Sequence, residues 1–87
     1  MKGTAAIALK DINGYAAANR ITLTDHAIRR ARQRNASIAD IRHGLMTAQT
    51  CKDQNDGTWK VFSEDLDGDE LILIVALQSE DLIITLF

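Results

Sequence analysis

The 87-residue chain contains no proline, a single cysteine, five glycines, one tryptophan, one tyrosine and two phenylalanines. Without proline, and with little glycine, a disordered linker is not expected, and regular elements joined by short turns are. The lone thiol, Cys51, has no partner for an internal disulfide, so no covalent staple supports the fold, and a reducing cytoplasm is the expected location. No apolar run approaches the roughly 20 residues that a membrane helix requires. The apolar patch near the N-terminus is interrupted by Lys10 and Asp11, too early for a signal peptide. The formal net charge is −2, which argues against a general nucleic-acid binder with a basic balance. Histidine and cysteine are also scarce: Cys51, His26 and His43 are isolated, with no zinc-ligand spacing. The acidic stretch "DLDGDE" resembles a calcium loop only superficially. Glu70 stands where the loop glycine belongs, and Ala76 where the closing glutamate belongs. No metal site and no cofactor are expected, and there is no Gly-rich phosphate loop.

What the chain does have is an uneven distribution of charge. Arg20, Arg29, Arg30, Arg32, Arg34 and Arg42 lie in the first half, and most of the acidic residues lie in the second. One positive face on an acidic body is the expected result. The length fits one domain spanning residues 1–87, with an N-terminal helical or irregular segment over 1–21 and a core over 22–87.

In the first segment "TAAIALKDINGYAAAN" is alanine-rich and broken by Asn13-Gly14, which suits one or two short helices, with a strand at "AAIAL" as the alternative. Thr24 is a good N-cap for a helix from about Asp25 to Arg34, whose thin apolar stripe is Ala27, Ile28 and Ala31. Ser37 and Asp40 form a capping-box-like start for a second amphipathic helix carrying Ile38, Ile41 and Leu45, fading near residues 49–51. The period then changes. "TWKVFS" alternates, "LILIVALQ" is a continuous apolar run that suits a strand buried on both faces, and "LIITLF" reads as a closing strand. Turns are expected at Asp56-Gly57, Asp67-Gly68 and "SED". The fold class is therefore α+β: N-terminal helices packed on one face of a three- to four-stranded antiparallel β-meander.

The chemistry centres on "DHAIRRARQR". His26, Arg30 and Arg34 follow at i, i+4 and i+8, so they share one helix face. Imidazole can exchange a proton near neutral pH. Two guanidiniums can hold phosphate oxygens and charge developing in a transition state. Such a set suits metal-independent cleavage of RNA by its own 2′-hydroxyl. The competing reading is a solvated arginine face, with His26 a first-turn residue packed on the sheet. Thr85, on the closing strand, is the candidate for a fourth catalytic position, against the plainer role of a good strand former. Lys60, Arg29 and Trp59 are the candidate substrate-binding residues. A solvated strand lysine, a solvated helix arginine turned away from His26, and a core tryptophan are the alternatives.

The order "LTDHAIRRARQR", "SIADIRHGL", "DGDELILIVAL", "LIITLF" resembles the small bacterial family called domain of unknown function 4258. The matching residues are His26-Ala27, Arg30, Arg34, Ile41, Asp67-Gly68 and Thr85, over roughly residues 22–87. Asn35-Ala36 departs from the family's glycine and aliphatic residue. Asparagine tolerates the left-handed conformation, so the turn can survive. The family looks related to toxins of the RelE-like, RNase-type and EndoU-like kind. The resemblance implies a toxin-like endoribonuclease acting on RNA, ribosome-bound or free, with a cognate antitoxin as protein partner. It puts His26 in the place of the catalytic histidine, Arg30 and Arg34 in that of phosphate-binding arginines, and Thr85 in that of the closing polar residue. A non-catalytic interaction module (an antitoxin, an immunity protein or a dimerising regulator) is the rival, favoured by the acidic second half. An exposed final strand would also give a second copy an edge to pair with, making a homodimer.

Overall fold

A computed structural model describes residues 4–86. Three helices, α1 (Thr4–Ala17), α2 (Asp25–Gln33) and α3 (Ile38–Thr47), accompany five strands: β1 (Ile21–Leu23), β2 (Thr50–Asp53), β3 (Thr58–Glu64), β4 (Glu70–Gln78) and β5 (Asp81–Leu86). The chain is α+β, as its periodicity suggests. Phe87, the last residue of the expected closing strand, lies outside the described residues.

The helix ends are fixed by short polar side chains, in keeping with the scarcity of glycine. The Thr24 hydroxyl accepts from the Ala27 amide at 3.2 Å and caps α2. At α3, Ser37 Oγ accepts from the Asp40 amide at 3.0 Å while Asp40 accepts from the Ser37 amide at 2.9 Å, a full capping box. Both α1 and α2 end with a left-handed asparagine. Asn19 has φ 60° and Asn35 has φ 55°. In each case the residue after the asparagine donates back across the last turn, Arg20 to Tyr15 and Ala36 to Ala31. These are Schellman endings, with asparagine in the usual place of glycine. Asn13-Gly14 does not break α1, which is a single helix and not a strand. α1 and α3 also cap one another. Arg42 donates to the Ala16 and Ala17 carbonyls at 3.0 and 2.9 Å, and Asn13 donates to the Leu45 carbonyl at 2.6 Å.

The sheet order is β1-β5-β4-β3-β2. β2, β3, β4 and β5 pair antiparallel, whereas β1 pairs parallel to β5. The sheet is therefore mixed and five-stranded, not a three- to four-stranded antiparallel meander. The two additional strands are short, three and four residues, too short to show a period. β5 lies between β1 and β4, so the last strand is not an edge, and the open edges belong to β1 and β2.

One face of the sheet carries Val61, Leu71, Leu73, Val75, Leu82 and Ile84. These join Ile12 and Ala16 of α1, Ala27 and Ala31 of α2, and Ile41 and Leu45 of α3 in a single buried cluster. A fully buried leucine or isoleucine here contributes about 1.5–3 kcal/mol relative to an exposed one. On β4 the residues between them, Ile72, Ile74 and Ala76, are only half-buried. The apolar run is thus buried on one face rather than both, and its second face borders a cleft. Among the described residues, no helix is long and apolar enough to cross a membrane.

Candidate functional site

The two alanines of α2 decide what the helix presents. Ala27 and Ala31 are buried in the core cluster. His26, Arg30 and Arg34 occupy the adjacent row, one position away at the same four-residue spacing, and so flank the buried strip. Ile28, expected in the apolar stripe, is exposed instead.

Register supplies the opposite wall. Among the described residues, β4 pairs with β5 from Ile74 onward, and Glu70 to Leu73 have β3 as their ladder partner. On the face away from the core, Lys60 of β3 stands opposite Ile74, and Phe62 opposite Ile72. A cleft of about 600 Å³ is lined there by His26, Arg30, Arg34, Lys60, Glu70, Ile72 and Ile74. Among the described residues, three fixed cations and one imidazole thus share a concavity with one carboxylate and an apolar floor. Arg30 donates to the Gln33 side chain at 3.1 Å. Lys60 stands 5.5 Å from the Phe62 ring centroid, a cation–π distance. Arg30 and Arg34 also lie at the C-terminal end of α2, where the helix dipole favours cations, so the row has a structural use as well.

Three of the expected site residues do not line this cleft. The register of β4 and β5 shifts between Ile74 and Val75, so Ile74 faces Leu86, Val75 faces Ile84, and Thr85 has no opposite number. The Thr85 hydroxyl donates to the Ile74 carbonyl at 3.1 Å, and its own carbonyl accepts from Thr24 at 3.4 Å. The residue therefore ties the bulge to the start of α2. It holds that helix through these bonds and is not among the residues lining the cleft. Trp59 packs against the core cluster, on the face opposite Lys60, because strand neighbours alternate. Arg29 is exposed and outside the lining. Conversely, Glu70, Ile72 and Ile74 went unrecognised in the sequence. Their period-2 spacing places them on one face, but a continuous apolar run masks that alternation.

Among the described residues, no group of three or more His, Cys, Asp or Glu side chains is placed to hold a metal ion. No curated protein and no solved structure matches the chain. Residues 23–87 match the family described as Domain of unknown function (DUF4258), a stretch that runs from the end of β1 and includes every residue lining the cleft. The chain belongs to the DUF4258 family.

Proposed function

We propose that the protein is a toxin-like, metal-independent endoribonuclease, the toxin half of a bacterial toxin–antitoxin pair, related in fold to RelE-like and EndoU-like toxins. The observation that carries this reading is the gathering of His26, Arg30, Arg34 and Lys60 around one cleft of about 600 Å³. A phosphodiester lies between Arg30 and Arg34, whose guanidiniums hold its non-bridging oxygens and the charge that builds on them. His26 takes the proton of the 2′-hydroxyl. The 2′-oxygen attacks phosphorus, the bond from phosphorus to the 5′-oxygen breaks, and a 2′,3′-cyclic phosphate forms. The proton lost by the 2′-hydroxyl is balanced by one gained at the departing 5′-oxygen, carried by the imidazolium directly or through water. Lys60 adds a third cation to the strand's path.

The partners of this reading are RNA and a cognate antitoxin, both in the cytoplasm. A second copy of the chain has β1 or β2 as its pairing edge. The acidic balance still fits a non-catalytic interaction module, but a concave cleft that collects an imidazole and cations suits an anionic substrate better than a flat protein surface. Expression in a bacterial host is the first test. The wild-type chain is expected to arrest growth, and His26→Ala to lift the arrest at equal protein level. Arrest undiminished in His26→Ala would remove the histidine from the mechanism.

A further inference from the structure

A second cleft, also of about 600 Å³, adjoins the first. It is bordered by His43, Gln49, Thr50, Phe62 and Glu64, and it shares Glu70 with the α2 cleft. Its chemistry differs from that of its neighbour. Among the described residues, no lysine or arginine lines it, two glutamates do, and its aromatic wall, Phe62, is 39% exposed. Part of the Phe62 side chain is thus open to this cleft. Lys60, which lines the α2 cleft and not this one, stands over that ring at 5.5 Å. The lysine and the phenylalanine therefore link a cationic cleft to an aromatic, acidic one. Glu64 and Glu70 are direct cross-strand partners, and two like charges facing each other are relieved by a hydrogen-bond donor placed between them.

We infer that this second cleft is a nucleobase subsite, which takes the base next to the phosphate bound by Arg30 and Arg34, stacks it on Phe62, and favours guanine. The inference rests on the RNA reading given above. Stacking on an aromatic side chain is the common means of holding an unpaired base. The carboxylates repel a phosphate but accept from ring N–H and amino groups. Guanine presents two such donors side by side on its Watson–Crick edge, whereas uracil presents one between two carbonyls. The phosphate and the base thus find opposite electrostatics in adjacent clefts, and the strand has one register across the sheet.

The test is equilibrium binding of the full chain to short, labelled 2′-O-methyl oligonucleotides, which carry no free 2′-hydroxyl and cannot be cut by this chemistry. The set contains one guanine, one uracil or one abasic position in an otherwise constant strand. The wild type is expected to bind the guanine strand about tenfold more tightly than the abasic one, the size of one base stack. Phe62→Leu should erase that difference and Phe62→Tyr should keep it. Glu64→Gln should narrow the gap between guanine and uracil. Equal binding of guanine and abasic strands, undiminished discrimination in Phe62→Leu, a preference for uracil, or no binding at all would each overturn the inference. Because binding is read without cleavage, a chain that discriminates bases but cuts nothing refutes the nuclease and leaves the subsite standing. A chain that cuts RNA without regard to Phe62 does the reverse.

Discussion

Gly44 should not tolerate alanine, although it lies inside a helix where alanine is favoured by about 1 kcal/mol. It is buried in α3, facing β3. A Cβ added there would stand 2.8 Å from Ser63 Oγ, 3.2 Å from Ser63 Cβ and 3.2 Å from the Glu64 carbonyl oxygen. None of these neighbours yields easily. The Ser63 hydroxyl donates to the Leu71 carbonyl, a bond whose loss costs about 1 kcal/mol. The Glu64 carbonyl belongs to a backbone held in the β3–β4 ladder. α3 must therefore move outward, and overpacking of this kind typically costs about 1–3 kcal/mol. Set against the propensity gain, the expected net loss for Gly44→Ala is about 1 kcal/mol. Urea unfolding followed by far-UV circular dichroism reads it directly, and in a domain this small the melting temperature should fall by roughly 4–8 °C. In a Ser63→Ala background the nearest contact is gone, so the additional cost of Gly44→Ala should shrink. An alanine variant as stable as the wild type, or a cost unchanged by Ser63→Ala, would refute the close-approach argument.

Two further predictions concern the backbone and the acid limb. Ser79 and Glu80 join β4 to β5 in a two-residue turn with φ of 48° and 65°, a conformation that asparagine and glycine adopt with less strain. Ser79→Asn with Glu80→Gly should raise stability by about 1 kcal/mol, read as a higher urea midpoint, and a lower one would contradict the turn assignment. The Asp40 carboxyl is held below its ordinary value of 3.8 by the backbone amide of Ser37, then that of Leu66, and by the Ser37 hydroxyl. A carboxylate so depressed stabilises the fold fully above its ordinary value and loses that contribution as pH falls through its folded value. The stability of Asp40→Asn should therefore fall less steeply in acid than that of the wild type. Parallel stability curves for the two proteins below pH 4 would remove Asp40 from the acid response.

The parts of the fold that were legible in the sequence are those with local causes. Thr24, Ser37 and Asp40 announce helix starts because their side chains bond within the first turn. Asn35 announces a helix end because few other residues accept its backbone conformation. The four-residue spacing of His26, Arg30 and Arg34 is equally local, and it places them together on one cleft. The missing parts have non-local causes. β1 and β2 are strands only because β5 and β3 supply their hydrogen bonds. Nothing in "ITL" reveals that its partner lies some 60 residues later and runs parallel. The bulge beside Thr85 is equally non-local: nothing in "LIITLF" shows that the register against β4 shifts there and that the Thr85 hydroxyl bonds to the Ile74 carbonyl. Glu70, Ile72 and Ile74 were obscured by Leu71, Leu73 and Val75 between them. An apolar strand reads as buried on both faces even when one face is the floor of a cleft.

The proposed activity of the α2 cleft is cleavage of RNA by internal 2′-hydroxyl attack, with His26 as proton carrier. The most direct measurement incubates purified chain with RNA in excess EDTA and identifies the fragment ends by mass spectrometry. The expected products carry a 2′,3′-cyclic phosphate on one fragment and a 5′-hydroxyl on the other. His26→Ala should slow their formation by about 10²-fold or more, and an oligonucleotide lacking the 2′-hydroxyl should remain intact. Cleavage that survives unchanged in His26→Ala, cutting of the 2′-deoxy strand, or intact RNA after incubation with the wild-type chain would rule this activity out.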